Sequence, residues 1–138
     1  MKIIKLLMLS SLFSFTLPAF ADVAVIVNTG NTSTISDSDI SRLFLGKLKA
    51  FPGGGKATPA NLKFGSATRN EFEEKVLSKS SSQIKAYWSK QVFSGKGKPP
   101  KELGSDKDVI SLVSSDPTAI AYVDAASVDS SVKVVKTF

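Results

Sequence analysis

The 138-residue sequence holds 18 basic and 12 acidic residues, and it contains neither histidine nor cysteine. Without these two residue types, imidazole and thiolate metal sites, the Ser-His-Asp triad, thiolate catalysis and disulfides are excluded. The length suits a single domain with one hydrophobic core.

The N-terminal residues predict an export signal. Two lysines precede an apolar run from Leu6 to Leu17, and Ala19-Phe20-Ala21 has the small-x-small pattern that a signal peptidase accepts. The run is shorter than the about 20 apolar residues needed to span a bilayer, so cleavage is favoured over a membrane anchor. We therefore interpret residues 1–21 as a signal peptide and residues 22–138 as a single periplasmic domain without a membrane span.

The basic excess of the exported chain is small. Residues 22–138 hold 16 basic and 12 acidic residues, a net charge of +4. The densest basic stretch, GKGKPPK at 95–101, lacks the interleaved aromatic residues of a nucleic-acid-binding stripe. Nucleic acid is therefore not expected as a partner. The alternatives are an ordinary solvated surface or a basic face that attracts an anion, an acidic polymer or a protein.

The exported chain is predicted to begin with a buried strand. VAVIVN at 23–28 is a continuous apolar and β-branched run, typical of a strand covered on both faces. A helix capped by Ser36 and Asp39 follows and ends at Gly46, with its inward face formed by Ile40, Leu43 and Phe44. After a loop, NLKFG at 61–65 predicts a second, short strand.

Three consecutive helices are predicted next. Thr68 and Glu71 form a capping box for TRNEFEEKVL at 68–77. In SSSQIKAYWSKQVF at 80–93, helical spacing places an apolar face toward the core, and the aromatic stripe of this segment is interpreted as core rather than as a ligand platform. That face and stripe contain Ile84, Tyr87, Trp88, Val92 and Phe93. SGKGKPPK breaks this helix, and Ser105 caps a further one, DKDVISLVSS at 106–115.

Two final strands are predicted in TAIAYVDA at 118–125 and VKVVKTF at 132–138. The order of strand, helix, strand, three helices and two strands suits an α/β fold. We predict a mixed sheet with helices on both faces.

Catalytic patterns are sparse. Ser82-x-x-Lys85 has the spacing of the acyl-serine motif of penicillin-recognising enzymes, but their two companion motifs do not occur. FPGGGKATP at 51–59 lacks the spacing and the hydroxyl residue of a nucleotide-binding loop. We therefore predict no enzyme activity, no metal and no cofactor.

The most credible site lies in GSATRNEF at 65–72. A strand that feeds a helix there aims free N–H groups and the positive end of the helix dipole at one point. Ser66 and Thr68 add hydroxyl groups, and Arg69 adds a fork for an oxyanion. The alternative is ordinary capping with Arg69 in solvent. If the site exists, Arg69→Ala is expected to weaken oxyanion binding and to leave stability nearly unchanged, because a surface residue next to the cap contributes little to packing.

Several short motifs are distributed over nearly the whole chain after residue 21. They are LFLGK at 43–47 followed by FPGGG, R-x-x-F at Arg69–Phe72, VLSKS at 76–80, AYWSKQVFSGKGKPP at 86–100 and DPTAIAYV at 116–123. Together they resemble the small exported proteins grouped with phosphate ABC transporter substrate-binding proteins. The resemblance implies that residues 22–138 form a periplasmic-binding-protein-like domain, with the fold of one lobe of a type II periplasmic binding protein.

The resemblance also implies a ligand. Full-length members of this family close two lobes over phosphate and use an arginine plus a Ser-Gly-Thr turn at a helix start. This chain has Ser66 and Thr68 around Ala67, with Arg69 after them. Phosphate or another oxyanion is therefore the expected ligand of Ser66, Thr68 and Arg69.

Two functions stay open. The first is an exported, non-enzymatic solute-binding protein that binds an oxyanion weakly for transport, as a homodimer or with a transporter protein as its partner. The second is an envelope accessory or assembly protein that kept the fold and lost the ligand. Arg69 favours the first function, and the length of a single lobe favours the second.

Overall fold

Strands and helices alternate along residues 22–138, the part of the chain that the computed structural model describes. The predicted signal peptide, residues 1–21, lies outside the described residues. In chain order the elements are β1 (Val23–Asn28), α1 (Asp37–Phe44), β2 (Thr58–Leu62), α2 (Ala67–Lys75), α3 (Ser81–Phe93), β3 (Lys101–Leu103), α4 (Asp106–Ser115), β4 (Ala119–Asp124), a 3-10 turn (Ala125–Ser127) and β5 (Val132–Thr137).

Within the described residues, the strands form one mixed sheet in the order β3-β2-β4-β1-β5. β2 runs parallel to β3 and β4, whereas β1 runs antiparallel to β4 and β5. Every residue of β1 is buried, so both faces of the sheet are covered, as its unbroken apolar run predicted. The predicted α/β class is therefore confirmed.

An aromatic cluster joins α1 and α2 to the sheet. The ring of Phe72 in α2 stacks on Tyr122 of β4 with centroids 3.8 Å apart, and Phe44 of α1 meets the edge of Phe72 at 4.7 Å. The buried Tyr122 hydroxyl donates to Asn61 Oδ1 at 2.9 Å and accepts from the Leu62 N–H at 3.3 Å. The cluster thus holds the end of β2, and with it the start of α2, against the core.

Two predicted boundaries are wrong. α2 begins at Ala67 and is capped by Ser66, not by Thr68. Gly65 explains the difference, because its φ of +83° allows the chain to turn two residues earlier than the Thr68 capping box required. The second strand lies at Thr58–Leu62 rather than 61–65, since Thr58 and Pro59 already pair with β4.

Two further expectations about the chain around α3 are wrong. The three helices that were predicted to be consecutive are interrupted by β3, which lies between α3 and α4. This edge strand has three residues and is too short to show a hydrophobic period. Ile84 and Trp88 are buried as predicted, but Val92 is exposed and Phe93 is 95% exposed. The last turn of α3 therefore extends past the core, although the helical spacing continues through it.

In residues 22–138, no helix combines the length and the apolar character needed to cross a bilayer.

Candidate functional site

The predicted site residues lie at the carboxyl end of β2. Because β2 and β3 are parallel, the helices that follow them, α2 and α4, start at the same end of the sheet. Ser66 is the N-cap of α2, and its Oγ accepts from the Arg69 N–H at 3.4 Å. Thr68 is half-buried in the first turn. The structure thus brings Ser66 and Thr68 together at a helix start.

Arg69 does not lie on the surface, so the expectation of a solvent-exposed Arg69 is wrong. The residue is only 4% exposed, and its guanidinium contacts three acceptors. Nη1 donates to the Leu62 carbonyl at 3.0 Å and to Glu102 Oε1 at 2.6 Å, while Nε donates to Glu73 Oε2 at 3.4 Å. Two of the three guanidinium nitrogens, Nε and Nη1, therefore already donate to acceptors of this chain, among them the carboxylates of Glu73 and Glu102.

The two carboxylates differ in burial. Glu73 is only 2% exposed, whereas the Glu102 side chain is 50% exposed. Burial raises the pKa of Glu73, and the neighbouring Arg69 partly opposes that rise. With both glutamates ionised, the cluster carries one positive and two negative charges, so its net charge does not favour an anion.

The raised pKa of Glu73 makes stability depend on pH. The folded state holds the Glu73 proton more tightly than the unfolded state, whose pKa is near the ordinary value of 4.5. The stabilisation that comes from this tighter proton binding is fully present below pH 4.5. It is lost as the pH rises through the higher pKa of Glu73 in the folded state. We therefore expect the stability of Glu73→Gln relative to wild type to increase as the pH rises above 4.5, measured by urea denaturation.

Glu74→Gln, on the exposed side of the same helix, is the matched control for this measurement. Its stability difference from wild type should stay nearly constant over the same pH range. A Glu73→Gln difference that is flat, or that moves in the opposite direction, would show that Glu73 is not desolvated in the folded protein.

A groove that the sequence did not predict lies beside Arg69. It has a volume of about 600 Å³, and apolar side chains of α3 form much of its wall. The Phe64 ring also lines the groove, and its centroid is 5.4 Å from Arg69 Cζ and 5.7 Å from Lys85 Nζ. Val92 and Phe93 line the groove as well, because the last turn of α3 extends past the core. The sequence could not predict this groove, because apolar residues at helical spacing are also typical of a helix face that is buried in the core.

Among the residues from 22 onward, which the structure describes, no group of three or more acidic side chains is placed to hold a metal ion.

Comparisons with known proteins give a fold and no sequence family. The sequence matches no protein-family model, and no curated protein matches it. Among solved structures, an ABC-type phosphate transport receptor from Vibrio cholerae is similar, with a TM-score of 0.64 and 19% identity over 84% of this chain. This chain therefore has the fold of about half of that receptor.

A second similar structure is PstS from Borrelia burgdorferi, with a TM-score of 0.58 and 14% identity over 84% of this chain. The chain spans 46% of the Vibrio cholerae receptor and 47% of the Borrelia burgdorferi protein. The resemblance that the sequence motifs indicated is thus confirmed at the level of the fold, and it corresponds to one lobe.

Proposed function

We propose that this chain is an exported, non-enzymatic accessory protein of the cell envelope. It has the lobe fold of the phosphate receptors and acts by contact with another envelope protein rather than by carrying phosphate. The N-terminal pattern of residues 1–21 supports export.

One observation carries this proposal: Arg69, the cation of the predicted oxyanion site, is buried and already donates through Nε and Nη1 to acceptors within the chain. Glu73 and Glu102 neutralise its charge, and the Leu62 carbonyl takes a further hydrogen bond. A phosphate at Arg69 would lie close to two carboxylates, and the one on Glu73 is buried.

The exposed apolar surface on α3 supports the contact role. Val92 and Phe93 line the groove, and both side chains are exposed, Phe93 to 95%. A partner protein with a complementary apolar segment would cover these side chains and gain the free energy of their burial.

A second candidate is a weak oxyanion receptor for transport, with Ser66, Thr68 and Arg69 as its ligand-binding residues. The half-exposed position of Glu102 favours it, because a carboxylate that water can reach can leave the guanidinium and make room for an anion. Ser66 and Thr68, at the positive end of α2, would then contact the same anion.

Calorimetric titration with phosphate and sulfate separates the two functions. We expect no saturable binding by the wild-type protein up to tens of millimolar, roughly −3 kcal/mol or weaker. Glu102→Gln keeps the size of the side chain and removes one negative charge from Arg69, so any latent anion site should strengthen in this variant. Glu74→Gln removes an exposed charge from α2 and is the control.

Millimolar binding by the wild type that Arg69→Lys abolishes would replace the accessory proposal with the receptor. Binding that appears only in Glu102→Gln would show that the site exists but that Glu102 keeps it closed. Absence of binding in all variants supports the accessory function.

A further inference from the structure

A second pocket, of about 580 Å³, shares Trp88 with the apolar groove but has a different character. Four lysines line it: Lys47, Lys49, Lys96 and Lys98. Its other lining residues include glycines and aromatic side chains, and none of its lining residues is acidic. We call it the lysine pocket.

Two helix ends build the lysine pocket. After α1, Gly46 adopts a φ of +72° and the Lys47 N–H donates to the Arg42 carbonyl at 2.8 Å. After α3, Gly95 adopts a φ of +70° and the Lys96 N–H donates to Gln91 at 2.9 Å. Both are glycine-terminated turns in which the residue after the glycine closes the helix, so each places a lysine directly past a helix end.

The two helix ends are held together. The Tyr87 hydroxyl, on α3, donates to the Leu45 carbonyl at the end of α1 over 2.6 Å. The Trp88 ring lies beside the turn after α1, since a Cβ at Gly46 would be 3.2 Å from Trp88 Cη2. It also lies near the loop that follows the turn after α3, where a Cβ at Gly97 would be 4.0 Å from Cζ3. A side chain at Gly46 would therefore press on the indole, and the pocket wall is a packed structure rather than a loose loop.

The charge of the lysine pocket exceeds what the helix ends require. A helix C-terminus carries about −0.5 of an elementary charge, so two ends offset roughly one of the four lysines. Within residues 22–138, the ion pairs involve other cations: Arg69, Lys75 and Lys136. About three positive charges thus line one pocket without a carboxylate partner in this part of the chain, and their combined potential attracts an anion.

We propose that the lysine pocket binds a multivalent anion, one that carries several phosphate or carboxylate groups close together. Lysine ammonium groups are compact point charges that do not demand the planar geometry of a guanidinium contact. A single oxyanion would contact only some of the four lysines, whereas a short chain of anionic groups can contact several of them at once. This site is separate from the start of α2, and it goes beyond the accessory function proposed above.

The test uses Trp88, the one tryptophan in the sequence, as a fluorescent reporter in the lysine pocket. The purified full chain is titrated with inorganic tripolyphosphate, with citrate and with inorganic phosphate at constant ionic strength. We expect a saturable change with tripolyphosphate or citrate, at an affinity about tenfold or more above that of inorganic phosphate. If tripolyphosphate binds more tightly than citrate, the ligand carries phosphate groups, and the reverse order indicates carboxylate groups.

Lys96→Gln combined with Lys98→Gln should weaken that binding by about tenfold, since it removes half of the lysine charge. Lys79→Gln combined with Lys107→Gln removes the same charge outside the pocket and should leave the affinity nearly unchanged. Circular dichroism melting confirms that both double variants fold.

Absence of a saturable Trp88 response to tripolyphosphate and citrate up to about 10 mM would overturn the proposal. Equal weakening by the two double variants would do the same, because it would indicate a general charge effect. Glu102→Gln, which acts at the start of α2, should not alter the response. The lysine pocket and the accessory function can therefore fail independently.

Discussion

Arg69→Ala is expected to lower the free energy of unfolding at neutral pH by about 3–5 kcal/mol. The substitution leaves Glu73, which is 2% exposed, as a buried carboxylate without its cation. It also removes the hydrogen bond to the Leu62 carbonyl and the ion pair with Glu102. Most of the loss should come from Glu73, since Glu102 can turn to solvent. Urea denaturation followed by circular dichroism gives the difference.

A double variant provides the control for this prediction. Arg69→Met with Glu73→Leu replaces the buried ion pair by apolar side chains and should recover most of the lost stability, because no buried charge is left unpaired. The loss caused by Arg69→Ala alone should shrink at acid pH, where Glu73 takes up a proton. An Arg69→Ala protein as stable as wild type would show that the ion pair is accessible to water.

Phe72→Ala should also destabilise the fold by about 3–5 kcal/mol. Phe72 is fully buried, and its ring contacts Tyr122 at 3.8 Å and Phe44 at 4.7 Å between centroids. The smaller side chain leaves a cavity between α1, α2 and β4, and it removes both aromatic contacts. Thermal and urea denaturation measure the effect.

Phe93→Ala is the matched control, because it deletes the same atoms from a residue that is 95% exposed. Its effect on stability should stay within about 0.5 kcal/mol. If Phe93→Ala destabilises the protein as much as Phe72→Ala does, then Phe93 is covered in solution and the apolar groove is closed. Similar stability of Phe72→Ala and wild type would contradict the aromatic cluster.

Features that depend on neighbouring residues could be predicted from the sequence. The apolar run of β1 is buried along its whole length, and Ser36, with Asp39, caps α1 as predicted. Ser105 caps α4, and Ile84 and Trp88 face the core. These features follow from caps, turns and periodicity, whose energies are set within a few residues. The local motifs also sufficed to indicate the fold that the solved structures share.

The ion pairs of the candidate site depend on contacts between residues that are distant in the sequence. Glu73 is one helical turn from Arg69, so this contact was within reach of sequence reasoning, but Glu102 is 33 residues away along the chain. It reaches Arg69 because β3 pairs with β2, and a three-residue edge strand has no pattern that predicts its pairing. The exposure of Phe93 likewise depends on where the core ends, not on helical spacing. Charge pairing and the exposure of the last turn of α3 depend on distant contacts, so the arginine that was predicted to bind an oxyanion instead belongs to an ion cluster within the chain.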